Sequence, residues 1–550
     1  ALEGKSLILS CPTASGKTLV AEIVAMNYLY SQLDDEQQKG VINDVKVLGK
    51  KKVLYLCPLR ALASEKYGEF KRKWDSEDVK VGISIGQLDR ADFGAFKNDL
   101  VMLTNEKADS LFRFRPSLVS KIGVVIVDEI HLINDESRGV TLEFLLTRLK
   151  TINPEIQIVG LSATISNAKE LSDWLGCQLI RSTWRPVDLK QGFFEQNKIF
   201  FKDGSRKSVP IIPEHGDIFT LALDMIREGG QVLVFTNSRR STMSLAKKMA
   251  PKMRLACSED EKTVFDRLHS EFAALFTDNL SSTKILKRCL KGGVVFHHAG
   301  IKTHKLNFLV ERFNQGEIKV ICCTPTLAAG VNTPARRVII KSLYRYTSKK
   351  GMQLIPIIEY KQMAGRAGRP GYDPYGEVVI YNKNQQKVRE IAEHYINGEP
   401  EEIVSKLGAN NALETHLLGL ISSNTANSSK SVLKFLRNTF YYHQLSHRPE
   451  LERQAVDESG FFNLTLNQNA SSGHDNKNRK SNKAKNLIRG PFNSDRSTGR
   501  GRDPLGLGKM DSESMFQNAA DLYTKQQKEK KIHAKKDLEH VASKESVSEQ

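Results

Sequence analysis
The sequence predicts an α/β fold with parallel sheets, and three observations predict it. Continuous apolar runs such as Gly123-Val124-Val125-Ile126-Val127 and Ile156-Gln157-Ile158-Val159-Gly160-Leu161 read as strands buried on both faces. Helical stretches alternate with these runs, as crossovers between parallel strands require. Polar residues of distinct chemistry follow the runs directly, at the carboxyl ends where open α/β sheets bind ligands.

Taken in order, Ser6-Leu7-Ile8-Leu9-Ser10 is a short buried strand and Leu19 to Met26 a largely apolar helix. Between them, Cys11-Pro12-Thr13-Ala14-Ser15-Gly16-Lys17-Thr18 is a loop of small residues closing on Gly-Lys-Thr. Small side chains let backbone N–H groups curl around phosphate oxygens, and the helix N-terminus adds the positive end of its dipole. Thr13, Ala14, Ser15 and Gly16 would form this cradle, Lys17 would reach the terminal phosphates, and the Thr18 hydroxyl would hold Mg²⁺. The strict phosphate-loop pattern has Gly where this chain has Cys11.

Asp128-Glu129-Ile130-His131 follows the Gly123–Val127 strand. Asp128 suits the Mg²⁺ shell, and Glu129 suits the orientation and deprotonation of an attacking water. With the phosphate loop, the pair points to hydrolysis of a nucleoside triphosphate. His131 is free to bond across to a second domain, and Ser162-Ala163-Thr164, after the next strand, offers two hydroxyls for a coupling link. The second half supplies Gln362-Met363-Ala364-Gly365-Arg366-Ala367-Gly368-Arg369. Arg366 and Arg369, three apart, are expected on one helix face. Set opposite the first domain, their planar guanidinium groups would stabilise charge on a transferring phosphoryl group.

Between Asn332 and this block, Val338 to Tyr344 and Leu354 to Ile358 flank Ser348-Lys349-Lys350-Gly351 and read as a hairpin. Tyr344 and Tyr346 on it could stack on a terminal base pair. Further blocks are Pro58-Leu59-Arg60-Ala61-Leu62-Ala63, Thr104-Asn105-Glu106-Lys107-Ala108-Asp109-Ser110, Ser137-Arg138-Gly139, Trp184-Arg185-Pro186-Val187, Phe296-His297-His298-Ala299-Gly300 and Thr324-Pro325-Thr326-Leu327-Ala328-Ala329-Gly330-Val331-Asn332.

In this order the blocks resemble superfamily 2 helicases of the Asp-Glu-x-His type. The branch resembled is the superkiller-like one, and within it the archaeal Hjm-type DNA repair helicases, relatives of the polymerase theta helicase domain. The likeness runs from about Leu2 to about Phe462. It implies two tandem RecA-like domains, 1–186 and 187–400, with ATP and Mg²⁺ between them and single-stranded nucleic acid across their tops. It implies Arg60, Thr104, Thr324 and Thr326 on the strand, Gly330 and Asn332 near both sites, and Gln362 with the catalytic set. It further implies 3′ to 5′ translocation, a strand-separating role for the hairpin, and a winged helix over 401–466 packed on the second RecA-like domain. An upstream adenine-reading segment and a downstream helical ratchet are also implied. With Ala1 just before the phosphate loop and a basic stretch in the ratchet's place, the chain reads as a fragment.

The 550 residues carry a net charge of +19, a surplus that favours a polyanionic partner without separating DNA from RNA. No run of roughly eighteen apolar residues predicts a membrane span, and no secretory pattern opens the chain. The seven cysteines form no Cys-x-x-Cys pair and read as reduced structural thiols, so a zinc or iron–sulfur site is not expected. His297-His298 reads as a packing or hydrogen-bonding pair, Arg185-Pro186 as a hinge, and Glu259 to Leu290 as a helical surface insertion. Residues 471–510 hold ten Lys or Arg against three Asp or Glu and lose apolar periodicity, so 467–550 reads as a disordered basic tail. That tail suits either an arm for nucleic acid or repair and replication proteins, or a solvated end.

Three functions stay open at this stage. The first is an ATP-dependent DNA helicase on forked or branched DNA in replication-coupled repair, monomeric, and nucleoid-associated or nuclear according to source. The second is an RNA-directed helicase of the same branch. The third is a nucleic-acid-binding module with weak or no motor activity.

Overall fold
The computed structural model describes residues 1–39, 51–76, 79–86, 94–210, 216–328, 333–347, 351–408, 412–423, 426 and 428–448. The first sheet holds β1 (Leu7–Ser10), β2 (Lys52–Cys57), β3 (Val81–Ser84), β4 (Leu100–Thr104), β5 (Ile122–Val127), β6 (Gln157–Ser162) and β7 (Gln178–Arg181). Its order is β3-β4-β2-β5-β6-β1-β7, and every pair is parallel. β5 and β6 are buried along their whole length, which explains their unbroken apolar sequence. In register, Val127 lies opposite Gly160 and Ser162 opposite Ser10. The phosphate loop, the carboxylate pair and Ser162 therefore emerge side by side at one sheet edge.

The second sheet holds β8 (Asp188–Glu195), β9 (Lys198–Phe201), β10 (Arg206–Ser208), β11 (Val232–Phe235), β12 (Val294–His297), β13 (Val320–Cys323), β14 (Arg337–Ile340) and β17 (Tyr375–Ile380). Its order is β10-β9-β8-β17-β14-β11-β13-β12, antiparallel only at the β8–β9–β10 meander. The expected hairpin forms, but with shorter arms: β15 (Tyr344–Thr347) pairs with β16 (Gly351–Leu354). Val338 to Ile340 belong instead to β14, whose backbone is claimed by β11 and β17, and Ile357 and Ile358 open a helix after Pro356. The hairpin's Ser348–Lys350 turn lies outside the described residues.

Two expectations are corrected by the packing. The helices Glu259–Leu275 and Ser281–Leu290 are no surface insertion, because Phe265, Leu268, Phe272, Leu286 and Leu290 are fully buried in the core beneath β11 to β14. Their spacing of three and four is that of a helix with one apolar stripe. The segment after Pro400 packs chiefly on the first sheet's domain and touches the second through Glu401: Ile403 and Phe440 sit in the first core, and the Trp174 indole donates to the Asn438 carbonyl at 2.8 Å. The two sheets and the helices around them fall in one compact unit, Ala1–Ala426 with Lys434–Gln444. The helices Ala412–Ser422, Ser429–Arg437 and Phe440–His447 fall in the expected winged-helix region, while the rest of that region and the basic tail lie outside the described residues. Among the described residues no helix is long and apolar enough to cross a membrane, no cluster of three metal-ligating side chains occurs, and all seven cysteines are free thiols.

Candidate nucleotide site and strand cleft
The phosphate loop connects β1 to the helix Lys17–Lys39. Ala14 and Gly16 take φ of 64° and 85°, the left-handed turns that aim successive N–H groups into one concavity. Such a conformation is strained for Ala14, as at many ligand-holding loops. Ser15 Oγ closes the loop by donating to the Pro12 carbonyl at 2.7 Å, and Lys17 Nζ folds onto the Cys11 carbonyl at 2.9 Å. Cys11 is buried, so its side chain packs into the core and the loop's curvature comes from Ala14 and Gly16.

Asp128 is buried beside Glu129, and desolvation with that neighbouring charge raises its pKa to about 6. The Tyr55 hydroxyl, on β2, donates to one Asp128 oxygen at 3.1 Å, and the Glu129 amide to the other at 3.0 Å. Glu129 itself stands at φ 52° and opens the turn to His131. A Thr hydroxyl, a buried carboxylate short of positive charge and a lysine ammonium are a donor set that fits Mg²⁺ with a nucleoside triphosphate. Thr18, Asp128 and Lys17 are those groups.

His131 is buried, and burial drops its pKa to about 3, so the ring is neutral. The Ala163 amide donates to Nδ1 at 3.2 Å, which leaves Nε2 to carry the proton. Nε2 lies 2.8 Å from the side-chain amide of Gln362, whose oxygen must face it. The Ser162–Thr164 segment thus meets His131 through the Ala163 backbone. Ser162 Oγ donates to the Ala163 carbonyl at 2.8 Å, while the Thr164 side chain is exposed.

Gln362 belongs to the helix Ile357–Ala364, and that helix stops before either arginine. Gly365 caps it still in right-handed conformation, tighter turns carry the chain to Ala367, Gly368 at φ 89° turns it away, and Ala367 bridges to Ala335. The two guanidinium groups therefore part company. Arg366 is half-buried, and desolvation lowers its pKa against the opposing pull of Glu129, Glu65 and Asp128; it donates to the Ala328 carbonyl. Arg369 forms a bidentate pair with Asp373, both contacts 2.8 Å, and donates to Gln231 within its own domain. Gly365 presses on the phosphate loop so closely that a Cβ there would stand 2.5 Å from Thr13 Oγ1.

A cavity of about 1430 Å³ is lined by residues of both domains, none of them from the phosphate loop. Arg60, Thr104 and Thr326 all line it, with Arg72, Lys73 and Arg138 balanced by Glu65, Glu69, Glu106 and Glu311. Thr104 also caps the helix Asn105–Phe114 by accepting from the Lys107 amide. Thr324 joins through its hydroxyl, 2.7 Å from that of Thr326. His297 lines the same cavity. Tyr346 projects from the hairpin, 71% exposed, while Tyr344 is half-buried. Gly330 and Asn332 lie outside the described residues.

Three site residues escaped sequence reasoning. Tyr55 had a faint signal, since a tyrosine in a buried strand needs a partner for its hydroxyl. Arg185, in the expected hinge, is pinned by a 2.9 Å bond to the Ala367 carbonyl. Glu401 had no local signal: its carboxylate accepts from the Ile357 amide at 2.6 Å and the Ile358 amide at 3.1 Å, capping the Gln362 helix from a distant segment. Pro356, at the cap position, has no side-chain acceptor of its own.

The chain matches the DEAD/DEAH box helicase family over residues 1–171 and the helicase conserved C-terminal domain over 268–371. It is 41% identical over 453 residues to the ATP-dependent DNA helicase Hel308 of Methanocella arvoryzae, covering 81% of this chain and 58% of that protein. The Hel308 of Methanococcus vannielii is 40% identical over 80% of this chain and 57% of its own length, and that of Pyrococcus horikoshii 39% over 84% and 61%. The chain thus spans about three fifths of the length of the curated relatives it matches. Phosphate loop, carboxylate pair and arginine segment, joined across two domains and matched along four fifths of the sequence, show that the chain belongs to the superfamily 2 helicases, in the archaeal Hel308 (Hjm-type) group.

Proposed function
We propose that this chain is the motor portion of an ATP-dependent DNA helicase that moves 3′ to 5′ and opens forked DNA. The observation that carries the reading is the direct contact between the domains. Gln362 meets His131 and Gly365 meets Thr13, so the second domain touches both the catalytic turn and the phosphate loop, while Arg60, Thr104 and Thr326 face a separate cleft. A change at the phosphates is then felt where the strand lies.

ATP with Mg²⁺ supplies the phosphoanhydride bond. Backbone amides of 13–16 and Lys17 would bind its phosphates, and Thr18 and Asp128 would hold the cation. Glu129 orients water in line and accepts its proton. Arg366 offsets charge on the terminal phosphate, and Arg369, held by Asp373, braces that segment. The strand's phosphates take Arg60 and the cleft threonines, and the Tyr346 hairpin divides the duplex. The relatives' names, which specify DNA, favour DNA over RNA. An intracellular site of action accompanies this reading.

The test is ATP hydrolysis by the chain alone, with single-stranded DNA, and with single-stranded RNA of equal length. Strong stimulation by DNA is expected. Stimulation by RNA instead would move the substrate to RNA, and none by either would reject the motor reading. Lys17→Ala and Glu129→Gln should each lower turnover at least about 100-fold, the scale of losing a phosphate-binding or general-base group.

A further inference from the structure
A second cavity, of about 610 Å³, opens on the second domain where none of the expected site residues lies. It sits at the carboxyl ends of three neighbouring parallel strands. Ser238 follows β11, Lys341 follows β14, and Tyr381 and Lys383 follow β17. The ends of β12 and β13, next along the same edge, carry His297 and Thr326 of the strand cleft. On the cavity's side, β14 leads within a few residues into the hairpin that begins at Tyr344. The cavity thus continues the nucleic-acid edge of the sheet beyond the cleft, beside the hairpin.

Its lining is strongly basic. Lys248 and Lys252, one turn apart, share a face of the helix Arg239–Ala256 with Ser241 and Ser244, Arg240 stands in the first turn of that helix, and Lys341 and Lys383 approach from the loops. The one carboxylate among the lining residues is Asp217, whose Oδ2 accepts the Tyr381 hydroxyl at 3.1 Å. Among the described residues Arg240, Lys248, Lys341 and Lys383 form no ion pair. Lys341 is half-buried, and burial together with Lys383 and Lys248 lowers its pKa, so these charges are felt and not neutralised. Concentrated positive charge in a concavity at a sheet's carboxyl edge attracts a polyanion. Lysine ammoniums suit phosphate as point charges and read no base. The cavity's two rings, Phe219 and Tyr381, are buried and half-buried and so offer no stacking platform.

We propose that this cavity grips the phosphodiester backbone of the duplex arm ahead of the hairpin, a second nucleic-acid site separate from the single-strand cleft. The proposal rests on the helicase reading above and adds where the unopened duplex is held. Holding the arm there steadies the junction while the strand in the cleft is drawn past Tyr346.

The test is the double variant Lys248→Glu/Lys383→Glu, since both side chains are exposed and outside the core. Affinities for a fork and for a single strand matching its tail are measured against salt, beside single-strand-stimulated ATP hydrolysis. The variant should bind the fork at least about tenfold more weakly, with the log–log salt slope reduced by about 2, as expected for two lost phosphate contacts at ~0.9 each. Single-strand affinity and stimulated hydrolysis should match the parent chain. Unchanged fork affinity and slope would overturn the proposal. Equal loss on fork and single strand would overturn it too, showing the cavity to be part of the single-strand path. Tripolyphosphate binding that the variant loses, with fork affinity intact, would assign the cavity to a small polyphosphate and reject the duplex. If the double charge reversal unfolds the chain, Lys248→Gln/Lys383→Gln with a slope change of the same sign decides. Absence of stimulation in the parent chain would strike the motor reading alone, because the binding comparison still decides the cavity.

Discussion

Glu143 shows how a single buried charge records the attachment of one segment to another. Its carboxylate lies fully inside the first domain, accepting from Ser405 Oγ at 2.5 Å and the Tyr441 amide at 2.8 Å. Burial, only partly offset by those bonds, raises its pKa from 4.5 to about 7. The native state therefore keeps a proton that the unfolded chain has released between these values. This contribution to stability is fully present below about pH 4.5 and is lost as pH rises towards 7. Glu143→Gln, which keeps the acceptor for Tyr441, should flatten that part of the profile and raise the melting temperature at pH 8; parallel melting curves from pH 5 to 8 would check it. At the nucleotide site, Gly365→Ala sets a Cβ against Thr13 and should obstruct domain contact. Overpacking of about 1–3 kcal/mol predicts turnover lowered roughly tenfold or more with the melting temperature nearly unchanged, read by steady-state hydrolysis and calorimetry.

At the scale of elements, the helix Ile357–Ala364 is held from three sides. Glu401 caps its start, Arg345 of β15 pairs with its Glu359 at 2.9 Å, and its Gln362 reaches His131. The segment that supplies Glu401 is itself clamped to the first domain: Asn167 bonds both the amide and the carbonyl of Ile403, and Asn134 accepts from Val404. Losing a helix cap costs about 1 kcal/mol. Glu401→Ala should therefore lower kcat for ATP several-fold while leaving KM little changed, because the phosphate loop is untouched. The hairpin is the second separable element. Tyr346→Ala should leave strand-stimulated hydrolysis intact and depress unwinding of a labelled fork, and equal unwinding by both proteins would remove the wedge role.

Across the whole molecule, both sheets carry candidate site residues at their carboxyl ends, and the +19 charge would supply a long-range attraction for a polyanion. Nucleic-acid affinity should fall steeply with salt. Ending the chain at Leu466 should reduce the log–log slope by several units if the basic tail contacts phosphate, and leave it unchanged if the tail is merely solvated; titration at four salt concentrations would tell.

What could be read from sequence were features that neighbours in the chain decide together. The strand–loop–helix of the phosphate loop, the buried run before Asp128 and Glu129, and the hairpin's existence all follow from local periodicity and small residues at turns. The grouping of Arg60, Thr104 and Thr326 was legible only through family resemblance. The tertiary structure alone decided partners distant in the chain. Among these are Tyr55 on Asp128, Glu401 on the Gln362 helix, Ile403 in the first core and the separate fates of Arg366 and Arg369. The helix-face expectation for the arginines failed because the helix tightens into single turns after Ala364 and Gly368 turns the chain away at positive φ, a backbone effect that residue spacing does not reveal. Local order is set by residues a few positions apart. Hydrogen-bond acceptors and buried charges find their partners only when the whole chain has closed around them.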